Sequence, residues 1–325
     1  MSLSMHRGIA LPLLSALLWG ASATAEAVGK PEIIGDIGLA TPESVEYYAD
    51  QDLYLVTNIN GDPTAADGNG FITQLKPDGS VAKLKWIDGE SQGVTLNAPK
   101  GAAVVGEHLF IADLNQVHVF ELPSGRPLRS IDIPGSTFLN GITPGDEDSV
   151  YVTDSGFGPG FKPSGTDAVY HVRADGSYET VVKGESLGHP NGIWFDHGKL
   201  VVVTLGTGKM MRIDSTGKVT PMPTPPAGRL DGLLRLSDGH LVLSSWEGAA
   251  VYRTRRHGSR HQAQSPADSP LQAGQSRHTS ALIPPAAPLK RGAAGRDLDP
   301  VRSLNPSTRL LAGRPQGACV RRQID

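Results

Sequence analysis

Five short marks along the chain carry the residues whose types could do chemistry. They are Pro42-Glu43-Ser44-Val45, Pro99-Lys100-Gly101-Ala102, Leu139-Asn140-Gly141-Ile142, Pro190-Asn191-Gly192-Ile193 and Leu230-Asp231-Gly232-Leu233. Their second residues stand 57, 40, 51 and 40 positions apart, so each holds one phase of a repeat. Glu43 and Asp231 offer carboxylates, Asn140 and Asn191 amide oxygens. Hard divalent cations want that oxygen set, Ca²⁺ foremost with Zn²⁺, Mg²⁺ or Mn²⁺ as alternatives, and water completes the shell. Lys100 has the charge to hold an anionic substrate group or to make a surface ion pair. Asn-Gly and Asp-Gly are also favoured turn dipeptides, and any one alone would be read as a turn. The shared register of all five argues for more. Asp78, Asp175 and Asp238 also precede Gly, but they fall in hairpin slots and are read as turns.

Residues so far apart in sequence need a repeating scaffold to meet. From residue 40 onward, short alternating runs rich in Val, Ile, Leu and Tyr are bounded by Gly, Asp and Pro, with almost no 3.6-residue period. The reading is all-β. Each mark is followed by a turn and a second strand, at 53–57, 108–112, 150–153, 200–204 and 241–245. A further hairpin follows in most units, turning at Asp78-Gly79, Ser124-Gly125, Asp175-Gly176 and Thr216-Gly217. Four strands at a period of about 45 residues predict the blades of a β-propeller, five of them across 26–253. The first strand of each blade lines the central channel, so the five polar residues form a ring at one mouth. The loops 58–69 and 155–167, with Trp246 and Glu247, face the same mouth and are expected to wall a substrate pocket.

Composition narrows the partners. Thirty Lys and Arg against 33 Asp and Glu leave a net charge of -3, no footprint for nucleic acid. The 39 Gly and 25 Pro fit a chain of many tight turns. One cysteine, Cys319, excludes an intrachain disulfide and a Cys-rich zinc site, so a metal must bind oxygen or imidazole. His6-Arg7, an apolar run over 9–19 and the small-x-small triplet Ala23-Thr24-Ala25 read as a cleaved export signal, with the mature chain starting near Glu26 in the periplasm or outside the cell. Eleven apolar residues reach only about 16 Å, too short to span a bilayer.

The repeat stops at Val251-Tyr252-Arg253. Residues 254–325 are rich in Arg, Ser, Pro, Ala and Gln, a composition that predicts poor packing. Read one base later, the codons for 254–261 are compatible with Leu-Asp-x-x-Gly-x-Val-Thr, which would continue the fifth blade. The hypothesis is a shifted reading frame, and resequencing the gene tests it: an intact frame through Thr254 sinks it.

Over 42–253 the chain resembles the senescence-marker, gluconolactonase and luciferin-regenerating group of six-bladed propellers. That resemblance implies one divalent metal held by Glu43, Asn191 in its Pro-Asn-Gly turn and Asp231 in its Asp-Gly turn. Asn140 would help hold substrate or a water on the metal, and Asp231 would double as general base. The chain departs from the family at Ser44-Val45, where Gly-Pro is common, and at Gly141, where Asp is frequent, which bears on substrate choice. The expected activity is hydrolysis of a small lactone or ester, the metal polarising the carbonyl and acidifying a water. A propeller that binds a ligand or protein at the same mouth without catalysis is the other reading. The fragments Ser265-Pro266-Ala267-Asp268 and Leu282-Ile283-Pro284 faintly resemble the family's last blade. Other signals fail: Gly206-Thr207-Gly208-Lys209 lacks the rest of a phosphate loop, and Asn58-x-Asn60-x-Asp62 lacks the closing Glu of a calcium loop.

Overall fold

The computed structural model describes residues 32–254, 280–282 and 318–321. The export signal, most of the segment beyond 254 and the fragment Ser265-Pro266-Ala267-Asp268 lie outside these residues. Among the described residues the helical turns are three short ones, at Ala49–Gln51, Pro159–Phe161 and Glu185–Leu187. No helix among them is long and apolar enough to cross a membrane.

Everything else regular is antiparallel strand. Blade one runs Pro42–Tyr48, Leu53–Asn58, Phe71–Leu75 and Val81–Asp88, and blade two Pro99–Val105, His108–Asp113, Gln116–Glu121 and Arg126–Asp132. Blade three runs Leu139–Pro144, Ser149–Asp154, Ala168–Arg173 and Tyr178–Lys183, and blade four Pro190–Asp196, Lys199–Thr204, Met210–Asp214 and Val219–Met222. Blade five shows Leu230–Arg235, Leu241–Ser245 and Ala250–Arg253. The chain is a five-blade propeller arrangement. In blade two Pro99–Val105 is buried almost throughout, whereas the outer strand Arg126–Asp132 is exposed but for one residue. Small apolar residues predominate in that inner strand, and polar and charged residues in the outer one.

The core lies between blades. Leu55 and Ile72 of blade one pack with Ala102, Leu109, Ile111 and Phe120 of blade two. Phe110 and Val117 of blade two meet Leu139, Val152 and Tyr170 of blade three. Val169 of blade three joins Ile193, Val202 and Met211, and Val203 and Met210 join Leu230, Leu233 and Leu243. Each blade thus buries its faces on its neighbours, and truncating one such anchor, Phe110 to Ala, costs about 3–5 kcal/mol.

Asp78, Asp175 and Asp238 serve as turn residues. Each carboxylate accepts the backbone N–H two residues on, from Ser80, Ser177 and His240 at 2.8, 2.8 and 3.0 Å. The glycines after them take φ of +79°, +97° and +86°, values that an L side chain rarely adopts.

Two short strands fall in the stretch whose composition shows almost no strand-like runs. Ala318–Arg321 pairs with Glu32–Gly35. Ser280–Leu282 pairs antiparallel with the inner strand of blade one, Ser44 opposite Leu282. It also lies beside the inner strand of blade five, so it takes the sixth place in the ring of inner strands. The Leu282-Ile283-Pro284 fragment begins there. An open inner edge has unpaired N–H and C=O groups, which explains why a short segment suffices to pair with it.

Candidate metal and substrate site

The inner strand of every blade slips register against its second strand at one place: between Pro42 and Val45, Pro99 and Ala102, Leu139 and Ile142, Pro190 and Ile193, and Leu230 and Leu233. The two residues inside each irregularity are the polar residue and the small one after it. A bulge re-aims the side chains it carries, and here it brings four of the five polar residues to the axis. Glu43, Asn140, Asn191 and Asp231 line one axial cavity of about 50 Å³ together with the small residues that follow them.

The small residues are required by closeness of the blades. A Cβ on Gly101 would stand 2.5 Å from the carbonyl oxygen of Asn140, one on Gly141 2.2 Å from that of Asn191, and one on Gly192 2.3 Å from that of Asp231. Blade one differs: Ser44 donates its hydroxyl to the carbonyl of Lys100 at 2.8 Å. The departure at Ser44 is therefore accommodated by a hydrogen bond between blades. Hydroxyls on the second strands serve the bulges, with Thr57, Thr153 and Ser244 accepting from the N–H of Ser44, Gly141 and Gly232 at 2.9, 3.0 and 3.0 Å. Thr153 also donates to the carbonyl of Asn191 at 2.8 Å.

Asp231 is 7 % exposed and held at both oxygens: Asn191 Nδ2 donates to Oδ1 at 2.7 Å and Trp246 Nε1 to Oδ2 at 2.6 Å. Burial pushes its carboxyl up to about 6 against the opposing pull of those two donors. Asn140 donates its Nδ2 to Ser155 Oγ at 3.1 Å, and Ser155 donates to the carbonyl of Pro190 at 2.6 Å. Both amides are thus oriented through their nitrogens, and among the described residues no hydrogen bond reaches either Oδ1. Glu43 has no hydrogen-bond or ion-pair partner among them either, and burial followed by the charge of Asp231 pushes it up to about 8, while Lys100 pulls it down.

Lys100 departs from a surface role. It is 1 % exposed, donates Nζ to the carbonyl of Ala98 at 2.9 Å and sits 4.1 Å over the ring of Phe138. Burial pushes its ammonium down to about 8, against the attraction of Asp113 and Glu43. Its side chain does not line the axial cavity. The Lys100 charge reaches the site through its field on Glu43.

Among the described residues no three His, Cys, Asp or Glu gather into a metal-holding group. A cation in the channel would draw on Glu43 and Asp231 together with the amide oxygens of Asn140 and Asn191. That set fits a hard divalent ion: two carboxylates of raised proton affinity at the axis, and open amide oxygens beside them.

Structural acids escaped the sequence reading. Asp113 takes the N–H groups of Asn97 and Ala98 at 2.7 and 2.8 Å, and Asp154 those of Phe138 and Gly156 at 3.0 and 2.9 Å. Each buried carboxylate satisfies the loop leading into an inner strand, a role with no motif. Asp113 also meets His118 Nε2 at 3.2 Å, and His118 Nδ1 meets Ser130 Oγ at 2.8 Å. The three types are those of a hydrolase triad, yet His118 is 2 % exposed and Asp113 is committed to backbone, so the row is a cross-strand ladder.

A second, wider recess of about 410 Å³ adjoins the channel mouth, lined by Phe157, Phe161, His189, Leu205, Gly206, Arg229 and Trp246. Phe157 and Phe161 come from the 155–167 loop and Trp246 from blade five, as expected of pocket walls. Neither the 58–69 loop nor Glu247 lines it. Glu247 instead accepts the N–H of Gly228 at 2.8 Å. Arg229, His189 and Leu205 were not singled out in the sequence; their placement just before Asp231, just before Asn191 and just after Thr204 was the available signal.

A propeller with a polar axial site is the class these features define. No protein-family model matches the chain, and no curated protein matches it. Among solved structures, it is similar to a gluconolactonase from Xanthomonas campestris, at 19 % identity and TM-score 0.52, over 72 % of this chain and 79 % of that one. It is also similar to a calcium-binding regucalcin from Agrobacterium tumefaciens, at 17 % identity and TM-score 0.50, over 73 % of this chain and 77 % of that one. A luciferin-regenerating enzyme aligns at 13 % identity and TM-score 0.50, over 69 % of this chain and 76 % of that one. At these identities the likeness shows the fold.

Proposed function

We propose that the chain is an exported, metal-dependent hydrolase of small lactones or esters. One observation carries the reading: Glu43, Asn140, Asn191 and Asp231, from four blades, converge on one axial cavity. The similarity of the fold to a gluconolactonase and a calcium-binding regucalcin supports it. Glu43, Asn191 and Asp231 would hold the ion, Ca²⁺ by donor type, and Asn140 would present its amide oxygen beside them. When bound, such an ion supplies Lewis acidity to an ester carbonyl and lowers the pKa of water. Asp231 provides the base: with a proton affinity of about 6 it is ionised at neutral pH and can take a proton from attacking water. Asn191 and Trp246 fix the direction of that carboxylate, and no covalent nucleophile is needed.

The aromatic recess also favours a second reading, a propeller that binds a ligand at this mouth without turning it over. A calorimetric Ca²⁺ titration followed by a lactone panel separates them. Loss of both metal binding and turnover in Asp231→Ala supports the hydrolase. Tight ligand binding with no turnover of any lactone overturns it.

A further inference from the structure

We propose that the recess beside the channel selects an aromatic ester or lactone carrying a carboxylate, rather than a polyhydroxylated sugar lactone. The substrate class rests on the hydrolase reading above; the binding preference does not. Its walls are Phe157, Phe161, Leu205 and Trp246, with Gly206 between them, and its volume of about 410 Å³ suits a single ring with a short side chain. Four of the seven lining residues are large and apolar. A sugar lactone placed there would bury hydroxyl groups that need partners, and an unpaired hydroxyl costs about 1–3 kcal/mol.

Polar partners are scarce in this recess. The indole N–H of Trp246 is already committed to Asp231 Oδ2. His189 gives its backbone N–H to Asp167 at 2.7 Å, its Nδ1 lies 2.7 Å from the carbonyl of Ser155, and its ring stacks on Phe157 at 4.3 Å. Arg229 remains. Its guanidinium lies over the Trp246 ring at 5.3 Å, and among the described residues it has no carboxylate partner. A stacked guanidinium keeps its N–H edge open, and that edge matches a carboxylate.

The aromatic wall is also built at a conformational cost. Phe161 is 43 % exposed, an unfavourable place for a large apolar ring, and its backbone has φ of +58°. The 3-10 turn Pro159–Phe161 is clasped by the pairing of Phe157–Gly158 with Lys162–Pro163 and sets the ring 5.8 Å from Phe138 and 5.6 Å from Phe157. His189 and Arg229 also have positive φ, but Thr41 shares it two residues before Glu43, so there it belongs to the repeat. Asn60, Leu114 and Ala249 share positive φ in the same inter-strand loop of their blades, but Phe161 is the one of these that lines the recess, and strain at an exposed aromatic facing a pocket points to ligand contact.

The test uses the full chain with saturating Ca²⁺. Calorimetry would compare two hydroxy acids, 3-(2-hydroxyphenyl)propanoate and gluconate, on the native chain, Phe161→Ala and Arg229→Gln. Both side chains are exposed, so the fold tolerates their loss. The expected result is binding of the aryl acid at least 10-fold tighter than gluconate, with each substitution weakening it about 10-fold and Phe161→Ala leaving gluconate, which also has a carboxylate, unchanged. Equal or tighter gluconate binding, or aryl binding indifferent to both substitutions, overturns the inference. Turnover of a dihydrocoumarin with a carboxylate on its ring and of glucono-1,5-lactone is measured alongside. Aryl-acid binding with no turnover of either lactone keeps the recess assignment and removes the hydrolase reading. Turnover of the sugar lactone alone, without aryl-acid binding, does the reverse.

Discussion

Trp246 donates its indole N–H to Oδ2 of Asp231 across 2.6 Å, so a residue of the recess wall also orients the carboxylate at the channel axis. The bond favours the ionised acid. Replacing Trp246 with Phe keeps the ring and removes the donor, which should raise the Asp231 pKa further above about 6. A hydrogen bond to a charged group contributes about 1.5–3 kcal/mol, or roughly 1–2 pKa units. Ca²⁺ affinity of Trp246→Phe should therefore fall most at pH 6 and recover toward the native value by pH 9. An equal loss at every pH would show that Trp246 acts through packing alone.

The ligand assignment makes a separate demand. Replacing Glu43, Asn191 or Asp231 singly by Ala removes one oxygen from the cation's shell and should weaken divalent binding at least about 10-fold, or about 1.4 kcal/mol. Calorimetric titration reads it, and unchanged affinity in all three variants removes the assignment.

A pH dependence follows from the same carboxylates. Glu43 binds its proton more tightly in the folded chain, near pH 8 against an ordinary 4.5, and Asp231 near 6 against 3.8. Between those values the unfolded chain ionises while the folded chain keeps its protons, so the metal-free protein should lose stability as pH rises from about 4.5 to 8. Lys100, pushed down to about 8 from 10.5, stays charged in both states through most of that window and adds little slope. Thermal unfolding in a chelator at pH 5, 6.5 and 8 should show a falling Tm, flattened in Glu43→Gln. Excess Ca²⁺ should reverse the trend, because the ion displaces the protons.

Much of this was legible in the sequence, because a propeller repeats its physics. The five marks share a register, and the structure puts the same bulge at each, so Glu43, Asn140, Asn191 and Asp231 could be placed at one mouth from spacing alone. Lys100 has the same register but lies outside the cavity, because a long chain beside Phe138 finds a buried carbonyl and an aromatic face instead. The recess was legible in part, since the 155–167 loop and Trp246 were expected to wall a pocket, whereas Arg229, His189 and Leu205 match no motif and meet only after the ring forms. The buried acids Asp113 and Asp154 were hidden for another reason: their partners are backbone N–H groups, which every residue but proline has.

The contact between blades predicts where methyl groups are refused. Gly192→Ala puts a Cβ 2.3 Å from the Asp231 carbonyl oxygen and should destabilise the chain by about 1–3 kcal/mol while loosening the cation site. Gly158→Ala, whose nearest neighbour would be 3.8 Å away, is the control. Urea unfolding distinguishes the two, and equal midpoints would mean that the blades part at little cost.

Ring closure is the last test. A propeller abolishes its open edges by pairing the final blade with the first. Among the described residues, Ser280–Leu282 lies in the sixth place beside the inner strand of blade one. The composition of residues 254–325 predicts poor packing, whereas interblade clusters hold the other five blades together. Water reaching the channel from that side would raise the local dielectric and weaken the field around Glu43 and Asp231. The chain as it stands should therefore unfold at modest temperature, aggregate on heating and turn over lactones slowly. Replacing residues 254–325 by a four-stranded blade that continues from Arg253 should raise Tm by several degrees and increase turnover. Both chains would be followed by calorimetry and a lactone assay side by side. A cooperative, high-Tm and fully active protein from the present sequence would show that the segment beyond Arg253 completes the ring, or that five blades close without it.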